Sequence, residues 1–216
     1  HPAEQLDELT VLDASNPKQF KIGAKTAILI KTQDDIEVAI AYWRHYDLNR
    51  KYHRGNAVSP FYASEALHQG EKTDVFYVKI TNNRPQKILF DVRKCKIEDQ
   101  GENWYGALDY SDLVERFGLM SRVSGLHVRN GLAIARQILL EKQIGKLDDG
   151  IPAGESIEGF LPFYQTKLNA RAMTVMMPIV KAPPENTTQR FQTIDFHFPF
   201  VHSESIRHAQ PTPVRH

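Results

Sequence analysis

Hydrophobic and polar positions alternate with a period of two along several stretches of this 216-residue chain, the pattern of strands with one buried face. In IEVAIAYW, Ile36, Val38, Ile40 and Tyr42 share one face and Glu37 lies opposite. FKIGAKTAILIKT precedes it, and Gln33-Asp34-Asp35 between the two runs predicts a hairpin turn. DVFYVKITNN alternates most cleanly, with Phe76, Val78 and Ile80 on one side and Tyr77 and Lys79 on the other, and the Asn82-Asn83-Arg84-Pro85 turn closes it. KILFDVRKCKIED reads as one continuing strand with Ile88, Phe90 and Val92 on a common face. Asp99-Gln100-Gly101 then reverses the chain, and NWYGAL returns as a partner strand. Two consecutive hairpins at this spacing favour a sandwich or barrel. AMTVMMPIV and the run from Thr193 to Phe200, with Ile194, Phe196, Phe198 and Phe200 on one face, supply closing strands.

The period changes after Ser111. Ser111 ahead of Asp112, just before LVERFGLM, marks a helix start. In GLAIARQILLEKQIG, Leu132, Ile134, Ala135, Ile138 and Leu139 recur at helical spacing, with Gly145 placed as a C-terminal cap. SRVSGLHVRNG between them reads as a loop. The expectation is one mainly β domain over 20–203, with a helical insertion at about 111–144 set at one end of an antiparallel sandwich. Residues 1–19 form a polar N-terminal arm, and 204–216 a flexible C-terminal tail. The core is expected from Phe76, Val78, Ile80, Ile88, Phe90, Ile194, Phe196 and Phe198.

Composition narrows the partners. Hydrophobic residues make up 41% and charged residues 25%, so the chain has the means to bury a core. With 27 basic and 26 acidic residues the net charge is +1, which removes the electrostatic case for nucleic acid. Cys95 is the sole cysteine, so no intrachain disulfide and no cysteine-rich zinc site can form. No run reaches the roughly 18 apolar residues that span a bilayer, and HPAEQLDELT lacks the basic and apolar regions of a signal peptide. Membrane association would then require an anchor or partner outside these residues.

The order FYVKITNN, ILFDVRKCKIED, QGENWYGAL, IPAGESIEGFLPF and a final aromatic strand resembles immunoglobulin-like extracytoplasmic domains of the telokin-like type. The asparagine turn, the Pro152-Ala153-Gly154 turn and Gly159-Phe160 carry the resemblance, which covers about 74–200 apart from the helices. It implies an immunoglobulin-like β-sandwich in an extracytoplasmic location (periplasmic, outer-envelope or secreted, as in lipoproteins) and a role in protein binding or assembly. The helical insertion and the lack of a lipid-attachment cysteine ahead of the arm depart from the pattern.

Candidate chemistry is sparse. The long polar, aromatic-rich connection from Arg44 to Lys72, with a short helix expected near Ser64 to His68, is the first candidate contact surface. Trp43, Arg44, Tyr46, Tyr52 and Arg54 are its partner-binding residues, suited to stacking on and hydrogen bonding to a protein edge; the plainer reading is a loop pinned by its own rings. A mature N-terminal His1 can hold copper through its amino group and ring, with His45, His53, His68, His127, His197 or His202 as the second ligand. A copper-dependent oxidase is therefore the alternative function, against the simpler reading of His1 as a first residue. A carbohydrate-binding module using Trp43, Trp104 and nearby tyrosines is a third. No Gly-x-Ser-x-Gly elbow and no phosphate-cradling loop occurs. The reading is a non-enzymatic protein-binding or assembly module without cofactor, an accessory subunit of a larger complex.

Overall fold

The computed structural model describes residues 9–11, 28–43, 48, 60–61, 73–123, 129–145, 150–166, 172–184, 188 and 190–202. They form ten strands and two helices: β1 (Leu9–Val11), β2 (Leu29–Gln33), β3 (Ile36–Trp43), β4 (Thr73–Asn82), β5 (Ile88–Phe90), β6 (Lys96–Asp99), β7 (Trp104–Gly106), α1 (Tyr110–Val123), α2 (Arg129–Lys142), β8 (Ser156–Tyr164), β9 (Ala172–Lys181) and β10 (Gln192–His202). One antiparallel sheet runs β1-β10-β9-β6-β7, with β5 also paired to β9; the other runs β2-β3-β4-β8. The two pack face to face as a mainly β sandwich with few helices, the fold class expected from the alternation.

The predicted faces meet in the middle. Ile36, Val38, Ile40, Phe76, Val78 and Ile80 of the second sheet bury against Val175, Met177, Ile179, Phe196, Phe198 and Phe200 of the first. Phe76 joins the layers, its ring centroid 5.0 Å from that of Phe200 and 5.8 Å from that of Phe163. Of the expected core only Ile194 is partly rather than fully buried. Cys95 is buried in the same core. The β2–β3 hairpin turns through Asp34 and Asp35, both in the left-handed region at φ 47° and 58°. Two such residues give the turn a twist that matches the flanking strands.

Several expectations change. KILFDVRKCKIED is two strands, because Asp91 interrupts it: its Oδ1 accepts from Arg93 N at 3.1 Å and starts a 3₁₀ turn over Val92–Lys94. Both pieces still pair with β9. The turn after Asn82 closes no hairpin; it carries the chain from one sheet to the other, since β4 pairs with β3 and β8 while β5 pairs with β9. Leu9–Val11, within the expected arm, pairs with Phe200–His202 as an edge strand. Helix α1 is capped by Asp109 rather than Ser111: Asp109 Oδ1 accepts from Asp112 N at 3.0 Å and Asp112 Oδ2 accepts from Asp109 N at 2.9 Å. This is a reciprocal capping box, which satisfies two otherwise orphaned amide groups. The helix expected near 64–68 lies outside the described residues.

The helical pair sits on the outer face of the second sheet rather than at an end of the sandwich. Leu113, Ile138 and Leu139 bury there with Val75, Phe160, Leu108, Leu48 and Phe61 in a second apolar cluster. The strand pleat explains it. Odd positions of β4 and even positions of β8 face outward, and Val75, Tyr77 and Phe160 are too apolar to be left to water.

Candidate functional site

Where the helical pair meets the sandwich, a cleft of about 320 Å³ opens. Three local features build it. The 3₁₀ turn contributes Asp91, Val92 and Arg93; the first turn of α1 contributes Asp109, Tyr110 and Ser111; and the end of α2 contributes Leu139, Leu140 and Gln143, followed by Ile144 and Gly145. Val92, Leu139 and Ile144 are buried, whereas Leu140 is 71% exposed at the rim.

The polar wall is an ion pair. Arg93 Nε donates to Asp109 Oδ2 at 2.7 Å, and Nη2 donates to the same oxygen. Burial alone would raise the Asp109 pKa, but the Asp112 N–H and the Arg93 guanidinium hold it below the ordinary carboxylate value. The same contact raises the Arg93 pKa. Asp109 therefore does two jobs, capping α1 with one oxygen and fixing Arg93 with the other. Gln143 donates from Nε2 to Leu108 O at 2.9 Å, leaving its buried Oε1 without a partner among the described residues.

Chemically the cleft offers an apolar floor, an exposed leucine and a charged rim, at the small end of the roughly 300–1,000 Å³ typical of ligand sites. Cys95 is no nucleophile beside it, since burial and then the Asp91 carboxylate push its thiol pKa up.

The residues singled out from the sequence fall elsewhere. Trp43 is half-buried, its ring 5.1 Å from that of Phe160 in an edge contact, and it belongs to the apolar cluster beneath the helices. Leu48 and Phe61 of the Arg44 to Lys72 connection are buried in that cluster too. Arg44, Tyr46, Tyr52 and Arg54 lie outside the described residues, as do His1, His45, His53, His68 and His127. His197 is exposed on the outer face of the first sheet, and among the described residues no group of three His, Cys, Asp or Glu is placed to hold a metal. Trp104 is 49% exposed on that same outer face, with Lys96 Nζ 3.6 Å from its ring centroid. Trp43 and Trp104 thus occupy opposite sides of the sandwich and share no common surface.

Sequence reading missed Asp91, Arg93, Asp109 and Gln143. Arg93 and Asp109 are sixteen residues apart in unlike elements, so no spacing rule links them. The one available clue was Asp109 three residues ahead of Asp112, a capping-box spacing shifted from the Ser111 that drew the eye.

A second polar cluster pins the β6–β7 hairpin. Asp99 Oδ1 accepts from Gly101 N at 2.8 Å and Asn103 N at 3.0 Å, while Oδ2 accepts from Asn103 Nδ2 at 3.0 Å and Tyr105 Oη at 2.9 Å. Burial works against its charge, yet the bonds from Asn103, Tyr105 and Gly101 prevail and lower its pKa from 3.8 to about 2. A carboxylate depressed in the folded state contributes stability that is present above its unfolded pKa and lost as pH falls through its folded one. Urea unfolding across the pH range should therefore show the margin of the wild type over Asp99→Asn shrinking from pH 5 to about pH 2. A margin independent of pH would remove this role.

No protein-family model, curated protein or solved structure matches this chain. Among the described residues, no helix is long and apolar enough to cross a membrane.

Proposed function

We propose that the chain is a non-enzymatic protein-binding or assembly module of the cell envelope or exterior, immunoglobulin-like in fold and an accessory subunit of a larger complex. The observation that carries this reading is the cleft itself, where the 71% exposed Leu140 stands beside the Arg93–Asp109 pair. A large apolar side chain exposed next to charged groups at the mouth of a cleft is suited to anchoring a protein contact. The engagement of its carboxylates favours binding over acid–base chemistry: Asp109 holds a helix and a guanidinium, and Asp91 holds the 3₁₀ turn. The extracytoplasmic placement rests on the resemblance of the turns and strands to exported immunoglobulin-like domains.

Purification of the native protein should recover a partner in fixed stoichiometry, and Leu140→Glu should abolish that recovery while leaving the circular dichroism spectrum and unfolding midpoint unchanged. Leu140 is suited to this test because it is exposed. Recovery of the protein as a free monomer in repeated preparations, or retention of the partner by Leu140→Glu, would count against the cleft. Protease accessibility in intact cells checks location separately.

A further inference from the structure

The margins of the two sheets are treated unequally. The outer edge of β8 is covered, with Leu108 N donating to Pro162 O at 2.8 Å and Ile144 N to Phe160 O at 2.9 Å. β1 and β7 are three residues each. Beyond β1, the edge of β10 carries Pro199, which has no N–H, and His197 O, which accepts from Lys31 Nζ at 2.5 Å. Short, proline-bearing or capped edges resist pairing with another chain. β2 differs: among the described residues its five positions pair with β3 alone.

Its side chains are equally unusual. Ile28 and Ile30 are 63% and 60% exposed on the outer face of the second sheet, next to half-buried Ala39 opposite Ile30. Lys31 is the only charged residue in β2, and it turns inward, its ammonium 5.6 Å from the Phe198 ring centroid and bonded to His197 O. The outer face of the strand, with Ile28, Ile30 and Thr32 exposed, therefore presents no charge.

We infer that β2 pairs antiparallel with β2 of a second copy, making one continuous eight-stranded sheet from two four-stranded ones. The occupant is a second copy because the strand is complementary to itself in this direction. With Ile30 opposite its own counterpart on the twofold axis, Ile28 faces Thr32 and Leu29 faces Lys31 of the other copy, so β-branched side chains meet across the seam and no like charges are opposed. In the next register, Lys31 would face Lys31. Five strand positions and two isoleucines from each copy cover less than the roughly 1,200–2,000 Å² of a stable interface, so the association is concentration-dependent. It uses a surface other than the cleft and stands or falls apart from the partner-binding reading.

Sedimentation velocity over a micromolar to sub-millimolar series should show the wild-type mass rising toward twice that of the monomer, with Ile30→Lys monomeric throughout. Oxidation tests the register: two Ile30→Cys copies would place their Cα atoms about 4.5–5.5 Å apart, within disulfide reach, whereas Thr32→Cys would face Ile28. The native Cys95 is buried and does not compete. Ile30→Cys should thus form the covalent dimer at least about tenfold faster than Thr32→Cys, the ratio that roughly 1.4 kcal/mol of preference gives. A wild type that stays monomeric, a dimer indifferent to Ile30→Lys, or equal cross-linking of the two cysteine variants would each overturn the proposal.

Discussion

Asn82→Ala is expected to remove about 3–4 kcal/mol of unfolding free energy, among the largest losses from any single change in this protein. Asn82 is fully buried at the end of β4. Its Nδ2 is within bonding distance of Gln86 O at 2.9 Å and of Ile151 O and Pro152 O at 3.0 Å each, and its Oδ1 accepts from Arg84 N at 3.1 Å. Its main chain is engaged as well, N donating to Glu155 O and O accepting from Gly154 N. One side chain thereby fastens the crossover between the sheets to the segment that returns from the helices. Truncation removes all four bonds, leaves Gln86 O and Arg84 N short of partners while Ile151 O and Pro152 O keep Ile88 N and Glu155 N, and leaves a void at a fully buried position. Urea unfolding followed by tryptophan fluorescence measures the loss. Asn82→Asp separates bonding from volume: it keeps the size but turns a second oxygen toward three carbonyls. It should be at least as damaging at neutral pH and recover in part in acid, where the carboxyl donates. Wild-type stability in either variant would remove Asn82 from this role.

Gly159→Ala is the second large effect, expected at about 2–3 kcal/mol. A Cβ on Gly159 would lie 2.5 Å from Ile144 N, and 2.9 Å from both Gln143 C and Ile144 Cα. All three are backbone atoms, so no rotamer change relieves the clash. Gly159 faces the sandwich core in β8, and its missing side chain is what lets the chain leaving α2 lie against that strand, with Ile144 N donating to Phe160 O and Ile144 itself buried in the core. Pushing Ile144 away breaks this bond and loosens the floor of the cleft. Amide exchange should quicken at Ile144 and along β8 while β9 and β10 stay protected; uniform exchange across both sheets would mean the contact is not the local hinge of stability proposed for it.

These two residues also mark how far the sequence could be read. The faces of β3, β4 and β10 followed from alternation because a strand's side-chain period is fixed by its backbone, whatever lies opposite. The helical pair followed in the same way from spacing, and the turn at Asp34-Asp35 from local backbone preference. Asn82 and the Pro152-Ala153-Gly154 turn were both visible, but as two separate turns. That one side chain bonds to the other turn, seventy positions along the chain, is a property of the packed molecule. Likewise Asp91 was counted within a strand because its neighbours alternate; its side chain reaching back to Arg93 N competes with the ladder and breaks it.

The candidate site was the least legible part. Trp43 drew attention as an aromatic beside basic residues, and it proved to serve the cluster under the helices. The cleft residues carried no motif, since Arg93, Asp109 and Leu140 come from a turn and from opposite ends of two helices. By itself, then, the sequence determined where the long strands and the helical pair run and which strand faces are apolar, because those follow from local geometry and the cost of exposing apolar surface. Only the tertiary structure decided which sheet each strand joins, which outer face the helices cover, and that a leucine, an arginine and two aspartates share one cleft. Such pairings depend on surfaces brought together across the chain, and no local pattern records them.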